Sequence, residues 1–254
     1  MKTTKLSSII ACAALSASAL FCGCSSQSRT QIAGEGPIET RDTVLDPFTS
    51  LTVTTGLNVT FTASASDSKP TAHISAPASL MPYLVMEVKD GALQIGLDNS
   101  HNYRLTNRVD IYISAPMAGS FTATSGSDLD IICTDTADAL TLHCTSGADI
   151  DIASINCQSI SAHCTSGADI DINNLSASAA ELHCTSGADI DVTCANVASL
   201  SASATSGADI DIAGKVENLT CTATSGASID ASKVDKSTLS KQNICKNSAG
   251  SVKI

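Results

Sequence analysis

The chain has 254 residues, with 14 Lys and Arg against 25 Asp and Glu and a formal charge of −11. Val109 to Gly214 contains no Lys or Arg but fourteen Asp or Glu, so nucleic acid and anionic lipid headgroups are poor partners there, and cations or a basic protein surface suit it better. Only 3% of residues are aromatic and none follows Phe121, which removes the stacking platforms that sugar binding commonly uses.

Residues 1–23 read as an export signal. Lys2 and Lys5 supply a positive start, and Ser8 to Phe21 is mostly small and apolar but too short and serine-rich to span a membrane. Phe21-Cys22-Gly23-Cys24 resembles a bacterial lipobox, with small Gly23 before the cysteine that would be lipidated. Cys22 would follow bulky Phe21 and fits less well. The expectation is cleavage before Cys24, a lipid anchor on it, and a mature charge of −13 once Lys2 and Lys5 are lost. Ser25-Ser26-Gln27 lacks the aspartate of inner-membrane retention, so the outer membrane is favoured, at its periplasmic face or on the cell surface. Residues 24–36 read as the lipidated cysteine and a flexible tether.

Residues 37–121 carry strand-like runs at Phe48–Thr54, Leu57–Ala63, Thr71–Ser75, Tyr83–Val88, Ala92–Leu97 and Val109–Ser114. Gly56, Pro70, Pro77, Asp90-Gly91 and Pro116 break them, and Asp90-Gly91 between apolar runs signals a hairpin. This part is expected to be an irregular antiparallel or mixed β cap.

Residues 122–254 repeat. Thr124-Ser-Gly-Ser-Asp-Leu-Asp-Ile131 is followed by near-copies starting at Thr145, Thr165, Thr185, Thr205 and Thr224, whose glycines are spaced by 21, 20, 20, 20 and 19 residues. A period near twenty means one unit stacked on copies of itself. Within a unit Leu140, Leu142 and Cys144 alternate with Thr141 and His143, and Ile150 and Ile152 alternate with Asp149 and Asp151. That is strand periodicity. A third apolar segment recurs at Ile155, Leu175, Val197, Val216 and Val234. The expected fold is all-β, a right-handed parallel β-helix-like solenoid with coils of about twenty residues. The corner glycine is expected where side chains would crowd most. Asn247 to Ile254 reads as a degraded closing copy, with Lys253 in an aspartate position.

Stacking places like residues in files. Asp128, Asp149, Asp169, Asp189 and Asp209 form one, ending at Ser228; Asp130, Asp151, Asp171, Asp191, Asp211 and Asp230 form another. Neighbours about 5 Å apart repel by about 0.8 kcal/mol in bulk water. The carboxylates therefore spread into solvent, take up protons, or hold divalent cations, for which oxygen-rich sites favour Ca²⁺. His143, His163 and His183 form an outward file that could offer nitrogen to Zn²⁺ or Cu²⁺, although a flat file does not converge on a tetrahedral centre. Cys144, Cys164 and Cys184 file on the opposite side; their parallel Cβ vectors suit disulfide torsions poorly, so buried free thiols are expected despite the exported setting.

These motifs carry a family resemblance. Gly34-Glu-Gly36, Phe48-Thr-Ser-Leu-Thr-Val53, Glu87 to Ile95, Val109-Asp-Ile-Tyr-Ile113 before Pro116, and the Ser-Gly-x-Asp-Ile-Asp coils resemble the putative autotransporter adhesin head GIN domain family of exported bacterial proteins. Gly56-Leu57-Asn58 stands where the Gly-Ile-Asn of that name is expected. The resemblance implies a β-helix-like fold and an envelope location, and brings no catalytic residues. The functional expectation is a non-enzymatic, adhesin-like scaffold presenting an acidic face to a protein or surface-matrix partner. A calcium-binding periplasmic scaffold is the alternative. A polysaccharide-processing enzyme comes third, because the coils from Val109 to Gly214 lack the basic residue that lyase chemistry wants beside its acids.

Overall fold

The computed structural model describes residues 30–65, 68–133 and 136–254. The export signal and Cys24 lie outside them. The amino-terminal strands are β1 (Gln31–Ala33), β2 (Ile38–Val44), β3 (Ser50–Val53), β4 (Asn58–Ser64), β5 (Thr71–Pro77), β6 (Leu84–Lys89), β7 (Ala92–Leu97), β8 (Asn102–Arg104) and β9 (Asp110–Pro116). The repetitive part comprises β10 (Ser120–Thr124), β11 (Asp128–Ile132), β12 (Thr136–Thr145), β13 (Asp149–Ile152), β14 (Ile155–Thr165), β15 (Asp169–Thr185), β16 (Asp189–Thr205) and β17 (Asp209–Ala223). It closes with β18 (Ser228–Val234), β19 (Lys241–Lys246) and β20 (Ser251–Lys253). The described residues contain no α-helix, only a 3-10 turn at Met81–Tyr83.

The copies wind in register. Ile150 pairs with Ile170, Ile170 with Ile190 and Ile190 with Ile210, all in parallel ladders. The result is a parallel β-solenoid of about seven turns. Alternation drives it: each strand turns one set of side chains to the axis, and Leu129, Ile150, Ile170, Ile190, Ile210 and Ile229 are all buried. Each such side chain contributes about 1.5–3 kcal/mol through burial, but only when the next coil covers it. The closing copy is present as expected, with Ile229 opposite Val252 and Asp230 opposite Lys253.

The corner has a different cause from the one expected. Ser146 and Gly147 have φ of 61° and 65°, and the other copies match them closely. A Cβ added at Gly187, Gly207 or Gly226 would meet nothing within 4 Å. Crowding is absent; the left-handed backbone is what selects glycine. Just past the corner runs a buried column that the pattern reading missed, Ala148, Ala168, Ala188, Ala208 and Ala227. Its first member is Ser127, whose hydroxyl accepts from the Thr124 N–H at 3.1 Å and donates within reach of the Thr124 and Val53 carbonyls, at 2.9 and 3.2 Å.

The third side of the coil also differs. Ile155 aligns with Leu175, Leu175 with Cys194, and Gly214 with Val234, whereas Val197 aligns with Ala177 and Val216. The apolar residues read as one column are thus two. Register shifts between Ile172 and Leu175 and between Cys194 and Val197 separate them. This side absorbs the changes in repeat length: one residue fewer separates Ile212 from Val216 than Val192 from Val197. Gly214 makes that possible, with φ of 88° and a Cβ position only 2.0 Å from the Cys194 carbonyl oxygen.

The stacking reaches below residue 122. β3 and β4 meet at Thr55-Gly56, with φ of 71° and 65°, the same corner as in the repeats. β3 lies between β7 and β10, and β4 between β9 and β11. The layer outside β3–β4 is therefore made from later chain, β7 and β9, and β10 then returns to the opposite edge. Antiparallel strands flank this end, β6 on β7, β5 on β9 and β2 on β5. The β6–β7 turn is the expected Asp90-Gly91 hairpin, with φ of 51° and 77°. β1 pairs in parallel with β8, so residues 31–33, within the stretch expected to be tether, are strand held by Ile32 packing on the core.

Candidate functional site

Strand alternation puts the expected columns on the outside. The register aligns Asp128, Asp149, Asp169, Asp189 and Asp209, then Ser228; beside them it aligns Asp130, Asp151, Asp171, Asp191, Asp211 and Asp230. Six of these, Asp169, Asp171, Asp189, Asp191, Asp209 and Asp211, line an open trough. Partial burial, followed by neighbouring carboxylates, holds the carboxyls of Asp149, Asp151, Asp171, Asp189 and Asp191 above the usual range. Uncharged or basic groups end the files. Below, Asn58 and Thr60 align with Asp128 and Asp130. With its amide nitrogen turned to the carboxylate, Asn58 donates to Asp128 Oδ2 at 2.5 Å and accepts from Arg108 Nε at 3.2 Å. Above, Lys253 Nζ lies 3.1 Å from Asp230 Oδ2. Hydrogen bonds from Ser232 first, and then Lys253, bring the Asp230 carboxyl down to about 2.

The histidine file is a stack. The rings of His143 and His163 are 5.0 Å apart and 15° from parallel; those of His163 and His183 are 4.9 Å apart and 9° from parallel. His183 Nε2 lies 2.9 Å from Glu181 Oε1, and His163 Nε2 lies 3.1 Å from Ser161 Oγ. Burial first, then its two histidine neighbours, lowers the pKa of His163. Parallel rings set their nitrogens side by side rather than around a common centre. Among the described residues, no three His, Cys, Asp or Glu side chains are arranged to hold a metal ion.

Behind the histidines, Cys144, Cys164 and Cys184 are buried free thiols, each donating to the carbonyl of the alanine four residues on, at 2.9, 2.9 and 2.8 Å. Contacts within the column and burial push the Cys164 and Cys184 thiols up. They act as small apolar fillers with a satisfied donor. No helix among the described residues is long and apolar enough to cross a membrane.

The architecture these ladders define is a parallel β-solenoid whose outward side chains repeat from layer to layer. The chain belongs to the family described as "Putative auto-transporter adhesin, head GIN domain", whose model matches residues 47–173 and 161–254. Among solved structures it is similar to a "putative adhesin" from Bacteroides fragilis, with a TM-score of 0.69 and 20% identity over 87% of this chain and 99% of that one. Similar too are a "putative adhesin" from Parabacteroides distasonis (TM-score 0.66, 14% identity, 88% of this chain and 99% of that one) and one from Parabacteroides merdae (0.64, 14%, 89% and 99%). At these identities the likeness establishes the fold. No curated protein matches the chain.

Proposed function

We propose that this protein is a non-enzymatic envelope lipoprotein, anchored in the outer membrane through Cys24, whose rod presents the twin carboxylate files to a basic partner on a protein or surface matrix. The observation that carries this reading is the unbroken register of Asp149, Asp169, Asp189 and Asp209 with their companions two residues on. A repeated array suits multivalent contact, in which many weak sites act together. A catalytic pair would stand apart in one coil, and these paired acids recur in five successive coils. Two measurements test it. Replacing Cys24 with Ala should release the protein from the membrane fraction. Replacing Asp169, Asp171, Asp189 and Asp191 with Asn should abolish capture of envelope or matrix partners while leaving the fold intact. Capture that survives the fourfold change would refute the acidic-face reading.

A second reading, calcium held along the files, is supported by the six carboxylates that line one open trough, where a cation between neighbours would relieve their repulsion. It predicts a thermal midpoint higher in calcium than in chelator at low ionic strength. Equal midpoints would remove it.

A further inference from the structure

β2 presents an open edge. It pairs with β5 along all seven residues without a register break, and among the described residues it makes no other ladder. The Leu45 N–H donates to the Pro70 carbonyl at 2.8 Å and the Ala78 N–H donates to the Pro37 carbonyl at 2.9 Å, so odd-numbered residues aim their backbone groups at β5. Alternation then leaves the N–H and C=O groups of Ile38, Thr40, Asp42 and Val44 pointing outward. The strand is exposed on both faces, at Glu39 and Arg41 on one and at Ile38 and Val44, 54% and 67% accessible, on the other.

Proteins usually blunt such edges with lysine, proline or a bulge. Elsewhere this chain does so: β19 carries Lys241 and Lys246, β20 carries Lys253, and β6 ends at Lys89. A lysine edge repels its own copy. β2, Ile-Glu-Thr-Arg-Asp-Thr-Val, has no lysine, internal proline or bulge. It has instead an acid and a base, Glu39 and Arg41, two residues apart on one face; its other acid, Asp42, lies on the opposite face, where its Oδ1 is 2.6 Å from His73 Nδ1.

That spacing is self-complementary, and we propose that β2 pairs antiparallel with β2 of a second copy about a two-fold axis at Thr40. Thr40 then opposes the partner's Thr40, and Ile38 opposes the partner's Asp42. These even-numbered residues form the hydrogen-bonded pairs, which matches the groups left free. Glu39 opposes the partner's Arg41, and Arg41 the partner's Glu39. Both fall at non-hydrogen-bonded positions, where cross-strand side chains come closest. Moving the axis to Glu39, Arg41 or Asp42 would set like charges against each other, and moving it to Ile38 or Thr43 would leave few residues paired, so charge and overlap together select the register. The result joins two amino-terminal caps through one continuous sheet and leaves both acidic flanks free.

Cross-linking on the full-length chain in detergent tests this. A Cys245→Ser background removes the exposed free thiol. In it, Thr40→Cys should give a disulfide dimer on mild oxidation, because paired Cα atoms about 5.5 Å apart lie in disulfide range. Val44→Cys should not, since the two copies of that residue would stand about 27 Å apart at about 3.4 Å per residue. In sedimentation, Glu39→Arg or Arg41→Glu alone should weaken the dimer about tenfold, and the double reversal should restore it. Equal cross-linking at positions 40 and 44, a monomer at every concentration, or a dimer indifferent to the charge reversals would each overturn the proposal. All these positions are exposed, and an unchanged melt confirms that each variant folds.

Discussion

Replacing Asp171 with Asn should make the protein more stable. Asp171 stands between Asp151 and Asp191 at the strand spacing of about 4.8 Å. Each neighbour repels it by about 0.9 kcal/mol in bulk water, and screening at physiological salt leaves roughly 0.5 kcal/mol. Two neighbours give a gain of about 1 kcal/mol, which for a domain of this size raises the midpoint by about 2–4 °C. In about 1 M salt the gain should fall by more than half. The pH dependence follows from the same carboxyls. Burial first, then neighbours that include Asp171, raises those of Asp151 and Asp191; burial first, then Asp169, raises that of Asp171. A carboxyl raised by folding destabilises the native state at neutral pH. That penalty shrinks as pH falls through the raised native value and is gone below the ordinary 3.8. Calorimetric melts should therefore show Asp171→Asn ahead at pH 7, with the gap closing toward pH 4. No gain at pH 7, or a gain indifferent to salt, would refute the ladder argument.

The two kinds of glycine should separate cleanly. Gly187→Ala introduces only left-handed strain and should cost about 1 kcal/mol, whereas Gly214→Ala drives a Cβ into the Cys194 carbonyl and should cost at least about 4 kcal/mol in urea unfolding. Acidification should act on His163 with the opposite sign to the aspartates. Its lowered pKa means that stability is lost as pH falls from 6.5 through the native value, so His163→Asn should lose less between pH 7 and 5, and parallel curves would dismiss the stack as a titrating element. Thiol labelling of the native protein should mark exposed Cys245 well before buried Cys144, Cys164, Cys184, Cys194 and Cys221; early loss of the buried thiols would contradict the packed column.

The solenoid was legible because its signal is redundant. Period-two alternation and a twenty-residue repeat each point to stacked strands, and six copies of the Ser-Gly corner, five of them followed by x-Asp, fix which residues meet. The carboxylate, histidine and cysteine files followed at once, since in-register stacking turns a repeated position into a column. The third side was read less well. Val197 and Val216 look like successors of Leu175, but a bulge and a shortened coil shift them into the column of Cys157 and Ala177. Spacing along the chain does not reveal where a length change is absorbed. The alanine column past the corner was missed because a small residue beside glycine reads as turn, and only the packed layers show it facing the axis.

What the sequence determined by itself is the repeating layer: its length, its inward aliphatics and its outward acids, because these depend on local alternation copied many times. What the tertiary structure alone decided is the order of layers at the amino end. There β3–β4 lies between β7–β9 and β10–β11, although β5 to β9 intervene in the chain. No periodic signal marks that return. It is chosen by which edge of β3 and β4 remains open and by which strands can cover Phe61, whose ring packs 4.9 Å from that of Phe121 in the next layer. The same tertiary choice left β2 at the rim, where among the described residues no strand pairs with its outer edge. Pairing over such distances is a property of edges and packing rather than of any single stretch of chain.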